Sequence, residues 1–357
     1  MSSLDASLAA LGWDDERRQQ IEESHPGLEP ARVAIEHKGS YVVFTSSGEM
    51  PAEVTGRMLH DARSRAELPA VGDWVAVSVL EHERRAVIQA VLPRRSKFSR
   101  KVAGFEVEEQ VLAANIDTAF VVSSLDGDLN VRRIERYLTL ARQSGCIPVV
   151  VLTKSDLCED ITAAIEDVTA IAPGVDVHAV SATEAVGLEP LATFLGPGLT
   201  VALLGSSGVG KSTLLNRLAG DELMITKEIR WDGKGRHTTT HRQLFRVPQG
   251  GALIDTPGLR ELQLWDAEDG LASTFEDIAA LASGCRFTDC SHDHEPGCAV
   301  LTALDSGELG PERIASYRKQ QRELAALARK KDKRLASEAA RRWKQVSREG
   351  RARARLR

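Results

Sequence analysis

Gly205-Ser206-Ser207-Gly208-Val209-Gly210-Lys211-Ser212 fits the pattern G-x-x-x-x-G-K-[ST]. It follows an apolar run, Leu199 to Leu204, and precedes a helical pattern, Lys211 to Leu218. That is the strand, loop and helix setting a phosphate-gripping loop requires. Backbone N–H groups of the loop and of the helix N-terminus can cradle α and β phosphates, Lys211 can reach the β and γ phosphates, and the Ser212 hydroxyl can bind Mg²⁺, with Thr213 beside it. The plainer alternative is a Gly/Ser turn that only caps a helix.

Three further segments have residue types that suit the same chemistry. Asp255-Thr256-Pro257-Gly258 follows an apolar strand pattern, Gly251 to Ile254, 44 residues beyond Lys211. Its carboxylate suits the second, water-mediated anchor of Mg²⁺, and the Gly258 N–H suits the γ-phosphate. Gly235-Arg236-His237-Thr238-Thr239-Thr240 lies between. Thr239, with Thr238 as its alternative, can complete the Mg²⁺ shell and sense the γ-phosphate. Thr153-Lys154-Ser155-Asp156 ends the run Ile147 to Leu152. An Asp156 carboxylate can accept from both N1–H and the 2-amino group of guanine, the Lys154 stem can lie along the base, and Ser181-Ala182 can offer a backbone N–H to O6.

The order of these segments is unusual, because both base-reading elements precede the phosphate loop. The later tetrapeptide Arg329-Lys330-Lys331-Asp332 follows no strand pattern. The chain therefore reads as a circularly permuted GTPase. Leu259 stands where many GTPases place a water-orienting Gln, and leucine cannot orient water. His237 is the nearest polar substitute by sequence, the alternative being a histidine that only packs or meets RNA.

Cys285, Cys290, His292 and Cys298 follow the spacing C-x4-C-x-H-x5-C. Three thiolates and an imidazole fill a tetrahedral Zn²⁺ shell and leave no open position, so the expected role is structural. His294 is the rival imidazole, and an unmetallated cysteine cluster is the alternative.

These groups need elements to position them. The 357 residues suffice for two or three domains, with no apolar run long enough for a membrane span and no signal-peptide pattern at the start. The expected location is the cytoplasm, with no membrane partner and a monomeric state. The net charge of −5 conceals an asymmetry: Arg318 to Arg357 holds 16 Lys and Arg against 4 Asp and Glu, a net +12, which leaves −17 for residues 1–317. Such a segment favours a polyanion by counterion release; a solvated charged helix is the alternative.

A short amphipathic pattern (Leu4, Leu8, Leu11, Ile21) is read as a mobile extension over residues 1–31. Five strand patterns follow, Arg32–Glu36, Tyr41–Thr45, Glu53–Leu59, Asp73–Val79 and Arg85–Val91, which predict an oligonucleotide-binding (OB-fold) β-barrel over 32–105. Its exit, Arg94 to Lys101, joins cations to Phe98, an aromatic able to stack on a base, or is simply a soluble linker. Alternating strand and helix patterns predict an α/β GTPase domain with a mainly parallel sheet over 106–268. A helical zinc-binding domain is expected over 269–335 and a basic tail over 336–357.

Taken together, the chain resembles the bacterial ribosome small-subunit-dependent GTPase A family from about residue 32 to about residue 320. The resemblance rests on Val71-Gly72-Asp73-Trp74-Val75, on the permuted order T-K-S-D, S-A, G-S-S-G-V-G-K-S, G-R-H-T-T-T, D-T-P-G-L-R-E-L, and on C-R-F-x-D-C-x-H-x-x-E-P-G-C-A-V from Cys285 to Val300. It implies hydrolysis of GTP to GDP stimulated by the small (30S) ribosomal subunit, contact with 16S rRNA, and action late in subunit maturation with departure on hydrolysis. Thr153 departs from the family, many members having Asn there, and the long basic tail lies outside the core pattern. An ATP-using P-loop protein and a zinc-stabilised RNA-binding scaffold with little turnover are the competing readings.

Overall fold

The structure, a computed structural model describing residues 7–37, 39–101, 109–127, 129–220, 242–255 and 268–329, begins with a segment that is docked rather than mobile. Residues 7–9 are helical, and α1 (Asp15–Ser24) is capped by Asp14, whose side chain accepts from the Arg17 N–H at 3.0 Å. Leu8, Leu11, Trp13 and Ile21 are buried, and the Trp13 ring lies 5.0 Å from that of Trp74. Burying side chains of this size stabilises by about 1.5–3 kcal/mol each, which a solvated extension would forfeit.

β1 (Glu29–His37), β2 (Ser40–Thr45), β3 (Gly48–Val54), β4 (Trp74–Leu80) and β5 (Arg85–Val91) form a barrel in the order β1-β2-β3-β5-β4, closed by antiparallel pairing of β4 with β1. Alternate residues, among them Val33, Val43, Val75, Val77 and Ile88, fill its interior. The third strand differs from the expected one. β3 runs through Pro51, and Gly56–Asp61 form the short helix α2, because the Thr55 hydroxyl accepts from the Met58 N–H at 3.1 Å and starts a helical turn. The exit segment also differs: β6 (Lys97–Lys101) pairs antiparallel with β7 (Glu109–Ala114), and Phe98 is completely buried. Phe98 is therefore a core residue, not a stacking platform. The boundary expected at 105/106 falls outside the described residues, as does the basic tail.

The second half of the sheet is built from β8 (Thr118–Ser124), α3 (Val131–Gln143), β9 (Ile147–Thr153), α4 (Ile161–Ile171), β10 (Val177–Ala179), α5 (Glu189–Ala192), β11 (Thr200–Leu204), α6 (Lys211–Ala219), β12 (Gln243–Arg246) and β13 (Ala252–Asp255). Its parallel order is β10-β9-β8-β11-β13, with β12 antiparallel to β13. β12 also meets β1 at Gln243 and Ile35, so the barrel and the parallel sheet share one hydrogen-bonded surface. The strands are apolar on both faces. Phe120, Val122, Val149, Val151, Val201 and Leu203 pack in one core, while Val121, Val150, Leu152, Ala202 and Leu204 pack in the other, as a sheet covered on both sides demands.

α7 (Glu268–Thr274), α8 (Glu276–Ala282), α9 (Ala299–Ser306) and a helical stretch over residues 311–329 follow. Phe275, Ile278, Val300 and Ile314 form their own small core.

Candidate nucleotide and metal sites

β8 is followed by β9 and β10 on one side, whereas β11 and β13 lie on its other side. The carboxyl ends of strands beside such a reversal form the crevice in which open α/β sheets bind ligands. The phosphate loop leaves β11 there. A side chain at Gly205 would place its Cβ 2.4 Å from the Val122 carbonyl oxygen, so only glycine lets the loop pass so close to β8. Gly208 and Gly210 take positive φ, and α6 then begins at Lys211. The Lys211 ammonium donates to the carbonyl oxygens of Gly205, at 2.8 Å, and Ser206. Ser206, Ser207, Val209, Ser212 and Thr213 complete the loop and first turn; Ser207, Ser212 and Thr213 are exposed, whereas Val209 is buried in the core beneath. Asp255 ends β13, one residue past Ile254, which pairs with Ala202 of β11. Its carboxylate is thereby carried to the same edge as Ser212.

The base-side segments arrive from the neighbouring strands. Thr153 ends β9, and its Oγ1 lies 2.5 Å from the Val209 carbonyl oxygen of the phosphate loop and 3.2 Å from that of Ser123. Lys154 adopts a left-handed φ of 58° and pairs with Asp126, which also accepts from the Ser124 hydroxyl at 2.7 Å. Those two contacts hold the Asp126 carboxyl below the usual carboxylate range. Asp156 follows, exposed, in a single 3₁₀ turn. The Ser155 N–H donates to the Val180 carbonyl at 3.1 Å, which sets this turn against Ser181 and Ala182. The structure thus brings Thr153, Lys154, Asp156, Ser181, Ala182, the phosphate loop and Asp255 to one edge. His237, Thr238, Thr239 and Gly258 lie outside the described residues. Sequence reasoning missed Asp126 and Ser124, since S-S-L-D matches no nucleotide-binding pattern, and missed Arg217, which is bonded to Ala182 and Thr183.

Among the C-terminal helices, ligand atoms of Cys285, Cys290, His292 and Cys298 lie within 4.8 Å of one another. The Cys285 and Cys298 sulfurs are 3.8 Å apart, and His292 Nδ1 lies 3.6 Å from the first and 3.4 Å from the second. A tetrahedral shell with metal–sulfur bonds of about 2.3 Å has sulfur–sulfur edges of about 3.8 Å. The donor set therefore fits a four-coordinate metal ion, and the group contains His292 rather than His294. The Glu295 carboxylate gathers the knuckle by accepting from the Ser291 hydroxyl and from the N–H groups of Ser291, Asp293 and His294.

Residues 91–265 match the model of the RsgA GTPase family, and residues 200–336 match a second model, that of 50S ribosome-binding GTPases. The second match begins at β11, downstream of the base-side segments, as permuted order requires. The chain is 50% identical to the small ribosomal subunit biogenesis GTPase RsgA of Opitutus terrae over 98% of each chain. It is 46% identical to the RsgA of Streptomyces avermitilis, covering 98% of this chain and 95% of that one. Among solved structures, YjeQ from Thermotoga maritima superposes with a TM-score of 0.63 at 28% identity, covering 83% of this chain and 98% of that chain. YloQ, a circularly permuted GTPase, superposes with a TM-score of 0.60 at 26% identity, covering 87% and 97%. Sequence likeness along nearly the whole length, on a sheet where the base side precedes the phosphate loop, means that this chain belongs to the RsgA GTPase family of circularly permuted GTP hydrolases.

Proposed function

We propose that this protein hydrolyses GTP to GDP and phosphate when the small ribosomal subunit stimulates it, acts late in maturation of the 30S subunit, and leaves on hydrolysis. The observation that carries the nucleotide part is the Thr153 hydroxyl lying 2.5 Å from the Val209 carbonyl, which joins the guanine segment directly to the phosphate loop. Asp156 reads N1–H and the 2-amino group, the Ala182 N–H meets O6, and Lys154 flanks the base. Residues Gly205 to Thr213 hold the phosphates, with Lys211 on the β and γ groups. Ser212 and Thr239 would hold Mg²⁺, with Asp255 behind a water and Gly258 on the γ-phosphate. When bound, Mg²⁺ supplies positive charge that offsets charge building on the phosphates. His237 positions the attacking water, because Leu259 cannot. The Cys285, Cys290, His292 and Cys298 set holds one structural Zn²⁺.

The partner assignment follows the full-length relatives, whose name specifies the small subunit. The name of the second family model specifies the large subunit instead, but that match starts at residue 200 and omits the barrel. We place the protein in the cytoplasm as a monomer that contacts 16S rRNA; among the described residues no helix is long and apolar enough to cross a membrane. GTP hydrolysis measured alone, with small subunits and with large subunits, at several salt concentrations, tests this. Salt-sensitive stimulation by small subunits only is expected. Equal rates in all three would remove the ribosomal assignment while leaving the nucleotide site.

A further inference from the structure

Ala182 is placed to meet guanine O6 through its backbone N–H, so the direction of that N–H decides how well the base is read. One side is fixed by the bridge between Ser181 and Val186, in which the Ser181 carbonyl accepts from the Val186 N–H at 3.0 Å. The other side is fixed from outside the loop. Arg217, on the exposed face of α6, donates from Nε to the Ala182 carbonyl and from Nη2 to the Thr183 carbonyl, both at 2.9 Å. Among the described residues nothing else donates to these two carbonyls, and none accepts from the Ala182 N–H.

The guanidinium is a rigid planar fork, and two parallel bonds from it fix two successive peptide planes at once. A lysine ammonium, a point charge on a flexible stem, cannot do so. Arg217 is six residues beyond Lys211 on the same helix. The helix that starts at the phosphates therefore also sets the loop that meets the base.

We propose that Arg217 is a positioning residue for guanine recognition, clamping the Ser181–Thr183 loop so that the Ala182 N–H points at O6. This rests on the assignment of Ser181 and Ala182 as the O6 reader. Three nucleotides separate the contacts. 6-Thioguanosine diphosphate keeps N1–H and the 2-amino group but presents sulfur, a weak acceptor, at position 6. Inosine diphosphate keeps O6 and lacks the 2-amino group read by Asp156.

The test is the dissociation constant of GDP, 6-thioguanosine diphosphate and inosine diphosphate for the full chain and for Arg217→Ala and Arg217→Lys. The unaltered protein is expected to prefer GDP over the thio analogue by about tenfold, a ratio that corresponds to one good hydrogen bond. Arg217→Ala should collapse that ratio to within about twofold of unity by weakening GDP and inosine diphosphate equally while sparing the thio analogue, leave the GDP to inosine ratio unchanged, and not be rescued by Arg217→Lys. Retained binding of the thio analogue shows that the variant is folded. Equal weakening of all three nucleotides, or no weakening of any, overturns the clamp. An unaltered protein that does not distinguish GDP from the thio analogue removes O6 reading by this loop, and the clamp with it.

Discussion

At Thr153 a single hydroxyl joins the end of β9 to the phosphate loop. It carries one proton and lies near two carbonyl oxygens, at 2.5 Å from Val209 and 3.2 Å from Ser123, so the shorter contact takes it. Thr153→Val keeps the shape, removes the donor and leaves a buried carbonyl without it. The cost of that loss is about 1–2 kcal/mol, which falls on the nucleotide-bound state if the loop relaxes when empty. GDP affinity should drop roughly five- to thirtyfold with little change in melting temperature, read by titration calorimetry. An unchanged affinity would mean that the two segments hold their places independently. Asp156→Asn is the companion test at the base itself: preference should move from guanosine to xanthosine nucleotides, because an amide can donate where the carboxylate accepts.

At the level of elements, α3 is bound to the C-terminal helices through one buried arginine. Arg313 Nη1 donates to Glu135 at 2.7 Å, and its Nε and Nη2 form a fork on Asp277 at 3.0 and 2.9 Å, while the Phe275 ring lies 4.3 Å from the guanidinium. Glu135 is completely buried and shares its Oε1 with Arg132. Removing one partner of such a pair typically costs about 3–5 kcal/mol, because the other charge stays buried. Arg313→Leu should therefore destabilise strongly in urea titrations, and Arg313→Leu with Glu135→Leu should be more stable than Arg313→Leu alone. Burial raises the Asp277 pKa, but the Arg313 hydrogen bonds and charge outweigh it and hold the carboxyl below its usual value. Its contribution is thus fully present above about pH 4 and is lost as pH falls through the lower folded-state value. Melting temperature measured from pH 5 to pH 3 should fall more steeply in the unaltered protein than in Asp277→Asn. None of this hub was legible in the sequence, because Glu135, Asp277 and Arg313 are widely separated charges with no shared pattern. α6 was legible almost to the residue, since the helical pattern expected over Lys211 to Leu218 became Lys211–Ala219. Local signals of that kind also placed β9, β11 and the phosphate loop. Where they failed, at Phe98 and at the docked N-terminal segment, tertiary burial decided the outcome.

For the whole molecule, the helices that carry the Cys285–Cys298 knuckle are joined to the GTPase domain through α3. The chain leaves the nucleotide edge at Asp255 and re-enters the described structure at α7, which lies against α3. Arg142 of α3 donates to the Ser273 carbonyl of α7 at 2.6 Å. The knuckle beyond it should depend on its metal: removing zinc with a strong chelator, or Cys298→Ser, should release one equivalent per chain by atomic spectroscopy and lower the melting temperature. The link itself can be tested at Gly270. A Cβ there would lie 2.9 Å from both the Thr139 carbonyl oxygen and the Gln143 nitrogen of α3, so any side chain forces the two helices apart. Overpacking of this kind costs about 1–3 kcal/mol. Because Gly270 packs against Thr139 and Gln143 of α3, Gly270→Val should leave GDP affinity unchanged. If small-subunit binding reaches the hydrolysis site through the α3–α7 contact, the same variant should lose most of the subunit-stimulated rate while keeping the basal rate. Equal loss of both rates would point to general destabilisation, and full stimulation in a folded variant would route the signal instead through the barrel, whose β1 joins β12 at the far edge of the same sheet.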